Sequence, residues 1–173
     1  MINALNQLHD KASASYSAGC RKPSQILPAE DMEALAKLGV PPQCLYDAVD
    51  DLARYGEPDK EVFVELAQIR SDYFHTTLQG RPPSRIVQES ELPPKSVEFE
   101  GVSWLLRIIR KAQCFLEGCL CDDIMYGCAG DRSFLKKYNA TLPAFLAVVR
   151  DTHGDPAQAL CFLESGRSAA HSS

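Results

Sequence analysis

Apolar residues recur every three or four positions through most of this chain, which is the repeat of α-helices buried on one face. The strongest case is the stretch from Trp104 to Glu117, where Leu105, Ile108, Ile109, Ala112, Phe115 and Leu116 share a side. Ser103 reads as its N-cap and Gly118 as the residue that ends it. Upstream, residues 2–15 put Ile2, Leu5 and Leu8 on a short helix, and the small, polar run SASYSAGCRKPSQ then reads as a mobile link. His9 and Cys20, near this end, read as ordinary residues. A helix from Ala29 carries Met32, Leu35 and Leu38 to a glycine stop. Pro41-Pro42 opens the next, with Leu45, Ala48, Val49 and Leu52 in a stripe. Glu57-Pro58-Asp59 starts a longer one, bearing Val62, Leu66, Ile69 and Tyr73.

Between Gly80 and Gly101 the repeat fails. Pro82-Pro83 and Pro93-Pro94 bracket the segment and exclude a helix through either pair. Arg85–Val87 and Ser96–Phe99 are expected as short extended pieces. Beyond Gly118, Asp131 reads as the N-cap of a helix with Phe134, Leu135 and Tyr138. Thr141 caps another with Leu142, Phe145, Leu146 and Val149. Asp155-Pro156 opens a last helix that stops at Gly166.

These elements predict a mainly all-α protein, a compact bundle of about seven helices. Strand–helix alternation is missing, which argues against a doubly wound sheet. Residues 1–28 form the N-terminal helix and link, 29–80 a first helical unit, and 81–101 a Pro-rich connector. Residues 102–166 form a second unit and 167–173 a frayed tail, all within one compact body. The two units show a weak repeat at an offset of one hundred residues, pairing Asp31 with Asp131, Leu35 with Leu135, Lys37 with Lys137, Val49 with Val149 and Asp51 with Asp151.

Composition narrows the function classes. The 173 residues are enough to bury a real core, and 45% hydrophobic with 24% charged residues is ordinary for a globular chain. A net charge of −5 speaks against a general nucleic-acid binder. No export signal is evident at the N-terminus, and no apolar run reaches the ~20 residues of a membrane helix. Seven cysteines, an odd number set within helical patterns, read as reduced thiols in a cytoplasm.

Candidate chemistry gathers between Trp104 and Tyr138, which holds the only Trp and four of the Cys. Arg107, Arg110, Lys111 and Cys114 fall at i, i+3, i+4 and i+7, one stripe of the central helix. The stripe is either a solvated face or an anion-binding wall that also favours the Cys114 thiolate. The following turn crowds Asp122, Asp123, Tyr126, Cys128, Asp131 and Arg132 between two helices, and Asp122 or Asp123 is expected to pair with Arg107 or Lys111. Arg107, Lys111, Asp122, Tyr126, Cys128, Asp131 and Arg132 together make a candidate small-molecule site. The thiols Cys114, Cys119, Cys121 and Cys128 are a lesser candidate for zinc or an iron–sulfur cluster, because their C-x4-C-x-C-x6-C spacing lacks paired knuckles. No cofactor is otherwise expected, and no catalytic triad, zinc-protease motif or phosphate loop is present.

The run W-L-L-R-I-I-R-K-A…G…Y-G-C-x-x-D-R-x-F-L, over about residues 104–163, resembles the bacterial domain of unknown function 5069. Arg107, Lys111, Tyr126, Cys128, Asp131 and Leu135 match that pattern by position. Cys114, Cys119 and Cys121 do not, and Arg110 stands where the pattern has an acid. The resemblance implies that the turn matters and brings no activity with it.

Three functions are therefore expected of such a chain. The first is a non-enzymatic binding or adaptor module with a protein partner. The second is a small anionic-ligand or thiol-dependent protein using the site above. The third is a Cys-ligated metal protein. Neither nucleic acid nor membrane is an expected partner.

Overall fold

The computed structural model describes residues 1–171, with side chains through Ser168. Among these residues there are eight α-helices and one two-residue hairpin, and none of the helices is long and apolar enough to cross a membrane. The fold is mainly all-α. Its Cα trace divides into two compact units, one of Met1–Pro82 and one from Pro83 onward.

The first unit contains α1 (Ile2–Ser17), α2 (Ala29–Lys37), α3 (Pro42–Tyr55) and α4 (Lys60–Thr76). Helix α1 runs on into the start of the stretch expected to be a link, through Ser17. Its stripe does not stop at Leu8 but continues through Ala12 and Tyr16, both buried. The Tyr16 hydroxyl donates to Asp50 Oδ1 at 2.6 Å, and the Arg21 guanidinium lies 3.7 Å from its ring centre. Ile26 and Leu27 turn inward just before α2. Helix α1 packs on α3 and α4, and α2 on α3, so the N-terminal segment is part of this unit's core.

The second unit begins with an irregular arm, residues 83–97, with a 3-10 turn at Glu89–Glu91, followed by the hairpin β1 (Glu98–Phe99) and β2 (Val102–Ser103), paired Glu98 to Ser103 and Phe99 to Val102. Four helices follow: α5 (Leu105–Glu117), α6 (Ala129–Lys136), α7 (Leu142–Asp151) and α8 (Pro156–His171). Helices α5, α7 and α8 pack on one another around Leu105, Ile108, Ala112, Phe145, Leu146, Val149 and Leu163. Thr141 and Asp155 cap α7 and α8 as expected, Thr141 Oγ1 accepting from Ala144 N and Asp155 Oδ1 from Ala157 N and Gln158 N.

Two expected helix ends move. Helix α5 is entered not from Ser103, which sits in β2 and donates to Glu98 Oε1, but through Trp104 in a left-handed conformation at φ 74°. Helix α8 does not stop at Gly166. That residue lies where an added Cβ would come 2.7 Å from the Tyr138 carbonyl oxygen, so glycine serves a close approach there rather than a break. The helix reaches His171, within the segment expected to fray; Ser172 and Ser173 lie outside the described residues.

The expected repeat has a structural counterpart in register. Helices α2 and α6 begin at residues 29 and 129, and α3 and α7 at 42 and 142. Gly56 and Gly154, both left-handed, follow α3 and α7.

Candidate functional site

The cationic stripe of α5 is neither a solvated face nor an open wall. Arg107, Lys111 and Cys114 are all buried, and Arg110 is half-buried. The reason lies in the chain on either side. The arm folds down over Arg107, whose Nη1 donates to the Pro93 carbonyl at 3.0 Å and whose Nη2 donates to Glu89 Oε1 at 2.8 Å. The segment beyond Gly118, itself left-handed at φ 77°, doubles back over Lys111.

Lys111 is 3% exposed and Asp131 0%. Lys111 Nζ makes a short ion pair with Asp131 Oδ2 and lies 3.2 Å from Cys128 Sγ. Asp131 has two further donors, Gly127 N to Oδ2 at 2.9 Å and Trp104 Nε1 to Oδ1 at 3.0 Å. Its carboxylate is thus paired and multiply hydrogen-bonded, which is the condition for burying such a charge. Asp131 is not the N-cap of α6; Cys128 is. Asp131 stands at the third helical position and reaches back to a backbone N–H before the helix, as an acidic residue there commonly does. Gly130 makes room for the contact, since a Cβ there would come 2.7 Å from the Trp104 ring.

The rest of the turn is held the same way. Arg132 Nη1 donates to the Gly127 carbonyl at 2.7 Å. The Tyr126 hydroxyl, buried, donates to the Leu142 carbonyl at 2.9 Å, and its ring centre is 5.4 Å from that of Phe115. Burial, and then the nearby Asp131 charge, hold the Tyr126 phenol well above its ordinary range. It stays protonated and serves as a donor. Asp122 and Asp123 are exposed, and the acids that meet Lys111 and Arg107 are Asp131 and Glu89 instead. A pairing from the near end of the turn loses to one made by a residue already aimed inward on α6.

The four thiols do not converge. Cys128 goes to Lys111, while Cys114 and Cys119 meet with Glu117. Among the described residues these last three are the one group of potential metal ligands whose donor atoms all lie within 4.8 Å of one another. Cys119 Sγ is 3.3 Å from Glu117 Oε2. The pair is asymmetric: a hydrogen bond from Cys119 lowers the Cys114 thiol from its ordinary value, helped by Arg110, and the same bond with burial pushes Cys119 far upward. Cys121 is half-buried and packs against the same small apolar cluster as Val87, Leu92 and Ile124.

Sequence reasoning passed over Trp104 as an anchor for Asp131, Glu89 as the partner of Arg107, and Glu117 as a neighbour of the thiols. Only Glu117 carried a signal, three residues after Cys114 and two before Cys119 on the same helix end. Chemically, the Lys111–Asp131–Cys128 cluster is a clamp between α5 and α6, with both charges already matched. No protein-family model matches the chain, and neither a curated protein nor a solved structure matches it.

Proposed function

We propose that this chain is a non-enzymatic binding module that engages a protein partner through the arm of its second unit. The observation that carries the reading is the division of the arm's apolar residues. Val87 and Leu92 are buried, whereas Ile86 is 46% and Val97 40% exposed. The arm is pinned by its backbone, Val87 N donating to the Cys119 carbonyl at 2.6 Å and Cys121 N to the Val87 carbonyl at 3.2 Å. A segment fixed by its backbone, with Ile86 and Val97 exposed among polar side chains, suits the docking of a peptide or a protein surface.

The site-centred alternative fits less well. Arg107 and Lys111 are committed to Glu89 and Asp131, so an anionic ligand would have to displace a carboxylate from each. The resemblance to the domain of unknown function 5069 belongs to the same proposal. Lys111, Tyr126, Cys128 and Asp131, four of its matched positions, lie in or against one buried cluster, as expected where a shared motif preserves a fold element. A cytoplasmic setting suits a chain with seven cysteines.

The test is affinity capture with the full chain. One stoichiometric partner is expected, lost with Ile86→Asp/Val97→Asp and kept with Asp122→Asn/Asp123→Asn. Failure to find a partner, or equal capture by both double variants, would sink the reading.

A further inference from the structure

We propose that Cys114, Glu117 and Cys119 bind a thiophilic divalent cation, Zn2+ foremost. The three side chains sit where α5 ends and the chain reverses at Gly118, and their donor atoms are mutually within 4.8 Å. Zinc holds sulfur at about 2.3 Å and carboxylate oxygen at about 2.1 Å, so tetrahedral ligands stand roughly 3.5–3.8 Å apart. Cys119 Sγ and Glu117 Oε2, at 3.3 Å, already stand slightly closer than that spacing. The remaining separations are at most 4.8 Å.

Four features favour a cation here over three unrelated side chains. The donor set is two soft thiols and one carboxylate, which suits zinc and not the hard cations Mg2+ or Ca2+. The site lies at the C-terminal end of a 13-residue helix, the negative pole of its dipole. The Cys119 backbone is fixed on both sides, its N–H donating to the Cys114 carbonyl at 2.9 Å and its carbonyl accepting from Val87. Lastly, the surroundings limit the charge. Two thiolates and a carboxylate around Zn2+ leave one net negative charge, and Arg110 and Arg85 both act on Cys114 from nearby.

Binding expels the two thiol protons to water and changes no oxidation state. Glu117, half-buried beside the two buried thiols, marks the route in, and water takes the fourth position. This site is separate from the Lys111–Asp131 clamp and from the exposed apolar side chains of the arm. Its failure would leave the binding-module reading standing.

The experiment titrates the reduced full chain with Zn2+, and separately with Co2+ as a spectroscopic probe. One equivalent of zinc is expected, together with thiolate-to-cobalt charge-transfer absorption and protection of Cys114 and Cys119 from alkylation. Cys114→Ser and Cys119→Ser should each abolish the charge-transfer signal or reduce it sharply. Both thiols are buried, so either variant could misfold; Glu117→Gln is the half-exposed control, expected to keep the wild-type circular dichroism. It should weaken binding by at least the roughly tenfold that loss of an outer-shell partner costs. Cys121→Ser and Cys128→Ser should bind as wild type. Substoichiometric zinc, no charge-transfer band, unchanged affinity in Glu117→Gln, or equal loss in Cys121→Ser or Cys128→Ser would each overturn the assignment.

Discussion

His9 stands on α1 with 2% of its surface exposed, its ring centre 5.4 Å from that of Phe63. Nδ1 is 3.4 Å from Ser13 Oγ, and Nε2 has no hydrogen-bond partner. A neutral ring with its proton on Nδ1 leaves only the Nε2 lone pair unpartnered. Protonation would add a buried N–H with nothing to accept it. Burial accordingly lowers the His9 pKa from 6.5, with Lys60 adding to the effect and Asp10 and Glu61 opposing it. The sign follows from linkage: below 6.5 the unfolded chain takes up a proton that the folded chain refuses, so stability falls as pH drops. Denaturant midpoints measured from about pH 7.5 to about pH 5.5 should decline more steeply in the wild type than in His9→Gln; parallel curves would refute this. None of it was legible from residue order, where His9 is one polar letter on a short helix. Phe63, whose ring packs against it, comes from α4, more than fifty residues on.

Between elements, the decisive contact is Lys111 with Asp131, which ties α5 to α6. Lys111→Met leaves Asp131 charged and buried, and should cost about 3–5 kcal/mol. Adding Asp131→Asn removes the stranded charge and keeps an acceptor for Trp104 Nε1 or Gly127 N. The double variant should therefore be more stable than Lys111→Met alone, as urea unfolding followed by circular dichroism would record. Additive losses would mean that the two groups are not coupled. The α-helical repeat made most helices of this unit readable, and Thr141 and Asp155 cap where short polar residues at a helix start should. The stripe on α5 was misread because a charge at helical spacing is usually solvated, and periodicity carries no information on what later folds over it. Asp131 looked like a cap for a related reason. A carboxylate in the first turn is favoured there whether it caps locally or reaches back to Gly127.

For the molecule as a whole, two cores matter more than one outline. The first unit's core draws its members from Leu5 to Ala67, all before the Pro82 boundary. Residues 1–82 expressed alone should therefore keep a cooperative, helical unfolding transition. Removing α1, and with it Leu5, Leu8, Ala12 and Tyr16, should abolish it. A fragment that is unfolded with α1 present would show that this core needs residues from elsewhere. The division near residue 81 was readable from the paired prolines and the loss of helical periodicity. That α1 belongs to the first core was not, because the polar residues between Ala12 and Tyr16 hide a stripe that only the packed α3 and α4 reveal.

Trp104 is the chain's single indole, and its N–H is held by the same carboxylate that pairs with Lys111. Intrinsic fluorescence excited at the indole edge thus reports one joint in one unit. Any event that loosens α6 from α5, whether a partner, a substitution or acid, is visible as a change in emission without an added label.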